Sequence, residues 1–184
     1  MYSCTTHINK EGKNLVCFGC GFGHSNFAYP ANRFPSIRMY SYENFEGKTQ
    51  VNHLFNFTVD GPPTAMSSYF NKLIVGVGNR MVLFDVFKQK LVERGSSDKL
   101  TSPILSIHVE GQKIFITQVT QSFTLMKIDH KTKFFEVIGQ DSLERFTTCA
   151  CLMDGEAGLM SGGDKFGNFF VSKLTESTYS FIQK

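Results

Sequence analysis

The sequence predicts an all-β fold made of about four consecutive antiparallel units, and three observations carry that expectation. Phenylalanine occurs 19 times and tyrosine 6 times, beside 16 glycines and only 5 prolines. Such a composition suits pleated, buried strands joined by tight turns. A pattern of strand, tight turn, strand, polar turn and strand recurs three times along the chain. Helical periodicity is weak throughout, and no segment combines end caps with an apolar stripe.

The first unit opens at Lys13-Asn14-Leu15-Val16 with an expected strand over 15–22, followed by a long loop over 23–36. Strands at 37–42 and around 51–59 complete it. The second unit has a strand at 64–69, then KLIVGVGNRMVLFDV from Lys72, a turn, and KLVERGS. The third has a strand at 104–109, then KIFITQVTQSFTLMKID from Lys113, a turn, and KFFEVIGQDS. The fourth has a strand at 147–153, then GLMSGGDKFGNFFVSKL from Gly158, a polar turn, and TYSFIQK. Lys72 to Lys113 is a step of 41 residues, and Phe123 to Phe169 a step of 46. Four-stranded repeats about 40–45 residues long are the signature of WD40-like β-propeller blades. The chain therefore reads as a single partial propeller domain over 1–184, with blades at about 14–60, 61–100, 101–142 and 143–184.

The strands are apolar on both sides. Leu73, Val75 and Val77 line one side, with Ile74, Gly76 and Gly78 on the other, while Phe169 and Val171 oppose Phe170 and Leu174. Strands buried on both faces read this way, as blades sandwiched between neighbours are. An arc of four blades exposes apolar faces at its ends unless further blades, a partner or self-association cover them.

Size and charge narrow the function class. The 184 residues are 41% hydrophobic with a formal charge of +3, too apolar and too nearly neutral for a disordered chain. Apolar runs such as Leu73-Ile74-Val75 fall far short of the roughly 20 residues of a membrane span, and the first thirteen residues carry no signal-peptide core. A soluble intracellular chain is the expectation, with no membrane contact. Lys10, Lys48, Lys88, Lys99, Lys131 and Lys173 are spread along the sequence, whereas phosphate binding favours a dense basic stripe. Charge thus gives no indication of RNA contact.

Catalytic patterns are missing. Gly19, Gly21 and Gly23 are followed by His24, which breaks the dinucleotide-binding fingerprint, and no P-loop, zinc-protease or nucleophile-elbow motif occurs. The five histidines are scattered, and Asp60, Asp85 and Asp129 fall at turns or strand ends, where carboxylates bond local backbone. Asn56-Phe57-Thr58 matches a glycosylation acceptor that has no role without a secretory route. An enzyme, a small-molecule substrate and a cofactor are therefore not expected. The five cysteines lie at 4, 17, 20, 149 and 151, an odd number suited to a reducing compartment. Cys17 and Cys20 with His24 suggest a zinc knuckle but lack a fourth ligand at the usual distance, and on a strand they point to opposite faces. Buried or half-buried structural thiols are expected here and at Cys149 and Cys151, which share one strand face.

A resemblance then emerges from Leu73-Ile-Val-Gly-Val-Gly, Leu83-Phe-Asp85, Lys88-Gln-Lys-Leu91, Gln121-Ser-Phe123, Arg145-Phe-Thr-Thr148 and Gly163-Asp-Lys-Phe-Gly-Asn168. In that order these blocks resemble the three-propeller family of splicing factor 3b subunit 3, damage-specific DNA-binding protein 1 and the large subunit of the cleavage and polyadenylation specificity factor. Asp164-Lys-Phe-Gly-Asn168 favours the splicing branch. The likeness runs from Asn14 to Leu174 and corresponds to part of the last propeller. Where the family commonly has tryptophan after Pro-Arg, this chain has Glu144-Arg145-Phe146, an aromatic without the indole N–H. The resemblance implies a nuclear, non-catalytic scaffold that holds other protein subunits of a splicing complex. A nucleic-acid-binding relative, or one serving ubiquitin ligation or 3′-end processing, is the alternative it implies.

Blade geometry places the candidate surface. Turns between the second and third strands share a ring face with the links that enter the next blade. Those turns are 78–80, 120–122 and 165–167, and the links are 60–63, 97–103 and 142–146. Arg80, Gln121, Arg145, Phe146 and Lys165 are the candidate protein-binding residues, Arg and aromatics being enriched at interface hot spots. Asp164-Lys-Phe-Gly-Asn168 also reads simply as a good hairpin turn, and Phe146 also reads as a plug of the central channel.

Overall fold

The computed structural model describes residues 2–10, 13–21, 34–45, 47–129 and 131–174. Fifteen strands and no helix lie among them, arranged in four antiparallel sheets that follow one another along the chain. The first sheet has the order β1 (Tyr2–Lys10), β2 (Lys13–Gly21), β3 (Ser36–Phe45) and β4 (Lys48–Thr58). The second has β5 (Pro63–Tyr69), β6 (Lys72–Val77), β7 (Arg80–Phe87) and β8 (Lys90–Ser96). The third has β9 (Ile104–Glu110), β10 (Lys113–Gln118), β11 (Ser122–Ile128) and β12 (Phe135–Gln140). The fourth has β13 (Thr147–Asp154), β14 (Leu159–Asp164) and β15 (Phe169–Lys173). Consecutive antiparallel sheets of this kind make the chain a partial β-propeller of about four blades. The expected last strand in 178–184, His24 and most of the 23–36 loop fall outside the described residues.

Strand β1 is an element that the repeat pattern did not include. Its described inward-facing side chains hold one strongly apolar residue, Ile8, which is 1% exposed. With so little apolar signal, the strand is specified by its pairing from Tyr2↔Gly21 to Lys10↔Lys13 rather than by its own composition.

The chain divides into two compact units, Met1–Gly78 with Val82–Arg94, and Asn79–Met81 with Gly95–Lys184. In the first, Leu15, Cys17, Ile37 and Met39 pack on Met66, Leu73, Val75 and Phe84. The Phe57 and Phe84 rings meet edge to face at 5.4 Å. In the second, Phe115, Phe123 and Leu125 pack on Met160, Leu174 and Phe170. Phe123 and Phe170 lie 5.2 Å apart. A Cβ on Gly162 would stand 3.0 Å from both rings, so glycine is what lets the two sheets of this unit close together.

Burial on both faces holds for β6 and β10, where Leu73, Ile74 and Val75, and Ile114, Phe115 and Ile116, are all 0% exposed. It does not hold for the fourth sheet. Phe169 is 74% and Val171 40% exposed, while the opposite side, with Met160 and Leu174, is covered. The thiols follow the same division. Cys17 is buried and Cys20 half-buried, but Cys149 and Cys151 are exposed, against the expectation of buried or half-buried thiols. The register explains this: Cys149 pairs with Gly163, which pairs with Phe169, and Cys151 with Ser161, which pairs with Val171. Both thiols therefore lie on the uncovered face.

Candidate protein-binding face

The β14–β15 hairpin closes through its own atoms. Asp164 accepts hydrogen bonds from the Phe166 and Asn168 backbone N–H groups, each at 2.9 Å, and from Asn168 Nδ2 at 2.8 Å. Gly167 takes φ +86°, where a side chain would strain the turn. The Asn168 amide first, then the loop N–H groups and the Arg145 charge, hold the Asp164 carboxyl below the usual carboxylate range. A loop this well bonded presents Lys165 and Phe166 from a fixed backbone.

The 142–146 link is fastened to that hairpin and to the β10–β11 turn. Arg145 N–H donates to Thr120 O at 2.9 Å, Thr147 N–H to Val119 O at 2.9 Å, and Lys165 N–H to Phe146 O at 2.9 Å. Gln121 forms a parallel bridge with Arg145 and donates from Nε2 to Asp141 O at 3.2 Å. The Arg145 guanidinium is held by Asp141, whose side chain is 1% exposed, and lies over the Phe170 ring at 4.3 Å. Asp141 also accepts from Leu143 N–H at 3.1 Å and Ser172 Oγ at 3.4 Å.

Backbone and ion pair together push Phe146 outward. Phe146 is 44% and Phe166 68% exposed. Their rings meet edge to face at 6.1 Å, with Lys165 Nζ 3.5 Å from the Phe146 centroid and 5.1 Å from that of Phe166. The arrangement is an apolar patch with an ammonium set between two rings. It offers no nucleophile with an adjacent base. Among the described residues no group of three His, Cys, Asp or Glu is placed to hold a metal ion, and no helix is long and apolar enough to cross a membrane.

The sequence-predicted residues thus divide by role. Gln121, Arg145, Phe146 and Lys165 come together in one cluster. Arg145 and Gln121 fasten it, and Phe146 and Lys165 are displayed. Arg80 begins β7 at another turn, where Asn79 Nδ2 reaches Leu100 O at 3.0 Å and Met81 N–H reaches Ser97 Oγ at 2.9 Å. Phe166 escaped sequence reasoning as a site residue. Its signal is a phenylalanine at a hairpin tip between Asp164-Lys165 and Gly167-Asn168, where burial is not available.

Residues 1–180 of the chain match the family described as the CPSF A subunit region. The chain belongs to that family. It is 25% identical over 171 residues to a probable splicing factor 3B subunit 3 of Dictyostelium discoideum, covering 93% of this chain and 13% of the relative. Against splicing factor 3B subunit 3 of Danio rerio it is 26% identical over 140 residues, covering 76% of this chain and 11% of the relative. Against spliceosome-associated protein 130 A of Arabidopsis thaliana the figures are 23% over 182 residues, covering 98% and 15%. The chain spans between 11% and 15% of the length of these relatives. Their names agree with the splicing branch of the family that the residues themselves resemble.

Proposed function

We propose that this chain is a non-catalytic protein-interaction scaffold of a nuclear pre-mRNA splicing assembly, and that it meets a protein partner through Phe146, Lys165 and Phe166. The observation that carries the reading is the exposure of two adjoining phenylalanines on a backbone locked by the Arg145–Asp141 pair and the Asp164 loop. A displayed aromatic pair on a rigid support suits an interface centre, because little conformational freedom is lost on binding. Gln121 supports this patch through its bridge to Arg145, and Arg80 stands at a separate turn. The splicing names of the relatives support the assembly and a scaffold role within it.

Affinity capture from nuclear extract, with mass spectrometry and quantitative blotting, tests it. Covering the exposed part of Phe146 is worth on the order of 1 kcal/mol, about fivefold in affinity. Phe146→Ala is expected to lower capture of splicing proteins by at least that factor with the melting temperature nearly unmoved. A fall of several degrees with unchanged capture by the remaining folded protein would make Phe146 a core residue and end the assignment.

A further inference from the structure

A groove of about 400 Å³ lies between the first two sheets, with both of its walls inside the first compact unit. That volume is the size at which ligand clefts begin. Buried Leu15 of β2 and half-buried Leu54, Phe55 and Val86 make its lining largely apolar. One irregularity adds to that lining. Neighbouring residues of a regular strand point to opposite faces, yet Leu54 and Phe55 both line the groove. Met39 pairs with Phe55 and Tyr40 with His53, so Leu54 is the extra residue of a bulge in β4. Bulges re-aim side chains in this way.

The β7–β8 turn forms the exposed edge of the groove. Phe87 is 52% exposed, and Lys88 Nζ stands 5.3 Å from its ring centroid. Lys88 and Gln89 take φ of 45° and 60°, a region that residues with side chains enter at a cost. Such a turn persists only where its surroundings hold it, and here it sets a ring and a cation beside the apolar lining. Charge then selects the occupant. The lining carries Lys13 and Lys88 against one acid, Glu43. Neither lysine belongs to an ion pair among the described residues. Carboxylates supply the missing counter-charge through charge-assisted bonds, and a bulky apolar side chain supplies the cover for the lining. The groove has room for a few side chains, which fits a short chain segment and not the broad surface of a folded domain.

We propose that this groove docks a short acidic peptide segment of a partner protein. A bulky apolar side chain of that segment enters between Phe55 and Phe87, and carboxylates on either side of it meet Lys13 and Lys88. The site stands apart from the Phe146 patch, which belongs to the other compact unit.

Selection of a random dodecapeptide library on the immobilised chain, followed by fluorescence anisotropy of the enriched peptides, tests the proposal. Enriched sequences are expected to share one bulky apolar residue with aspartate or glutamate on both sides, and their binding to weaken with added salt. Phe87→Ala and Lys88→Glu are each expected to lower affinity about fivefold or more, as loss of an interface anchor does. Phe146→Ala and Phe134→Ala remove exposed rings elsewhere and are expected to leave it unchanged. The double substitution of Lys88→Asn with Gln89→Gly suits the turn while removing one ammonium. It is expected to lose affinity with the melting temperature kept or raised, which separates loss of the site from loss of the fold. Three results overturn the proposal: no enriched peptide, enrichment of basic or wholly polar peptides, or binding that ignores the Phe87 and Lys88 variants. A fourth is a chain that dimerises and becomes monomeric on Lys88→Glu, since a second copy then fills the groove.

Discussion

The Arg145 guanidinium is clasped between the Asp141 carboxylate, 2.5 Å away, and the Phe170 ring, 4.3 Å from its centroid. One side chain thereby ties the link before β13 to the inner side of β15. Removing it leaves a carboxylate that is 1% exposed without its counter-charge. Arg145→Ala is expected to cost about 3–5 kcal/mol, as breaking one half of a buried pair does. Arg145→Lys keeps the charge, loses the planar stacking on Phe170, and is expected to recover only part of the loss. Urea unfolding measures both. A cost below about 1 kcal/mol for the alanine variant would reduce the pair to a surface contact.

Phe123 and Phe146 are both rings of the second unit, and they predict opposite outcomes. Phe123 is 0% exposed and stacks on Phe170. Phe123→Ala is expected to destabilise by about 3–5 kcal/mol through lost burial and the cavity left behind. Denaturant midpoints for Phe123→Ala and Phe146→Ala, measured side by side, should differ clearly. Equal midpoints contradict the division of core and display.

The thiols differ in reactivity for the same reason of burial. Burial pushes the Cys17 thiol up to about 12, so its reactive thiolate is scarce at pH 8. Brief iodoacetamide treatment of the native chain is expected to label Cys149 and Cys151, and Cys17 only after unfolding. Peptide mapping reads the result, and early labelling of Cys17 would count against the packing of the first unit.

His108 gives the second unit a pH dependence of known sign. Its Nε2 is buried without a hydrogen-bond partner, and burial lowers its pKa from the ordinary 6.5. The unfolded chain therefore takes up the proton more readily than the folded one. Stability from the neutral ring is complete above 6.5 and is lost as pH falls through and below that value. Thermal melts between pH 7.5 and pH 5 are expected to show a decline that His108→Leu reduces. An unchanged slope in that variant assigns the decline to other groups.

Much of the fold is legible in the sequence because β6, β7, β10 and β11 carry apolar residues on both faces, a pattern that marks strands buried between sheets. β1 is not legible, since a strand with Ile8 as its one strongly apolar described inward side chain has no periodicity to read. The exposure of Cys149, Cys151, Phe169 and Val171 is not legible either. Their composition matches that of covered strands, and only the tertiary arrangement says which face is covered. At the candidate site, Arg145 and Phe146 are visible as a pair, but their division of labour is not. Asp141 takes one and leaves the other to solvent through a backbone bond from Lys165 that no spacing rule encodes.

Two hairpins turn with Asn71 as the one residue that favours their conformation. Phe70 and Asn71, with φ 42° and 61°, and Lys88 and Gln89, with φ 45° and 60°, are left-handed at both central positions of two-residue loops, where Asn-Gly is the preferred pair. Neither loop can be expected to form early on its own account, since phenylalanine, lysine and glutamine resist that region. The strands on either side must already be meeting for the turns to be held. Formation of the second sheet then waits on the pairing of its neighbouring strands rather than on its turns, and exchanging Lys88-Gln89 for Asn-Gly is expected to accelerate it.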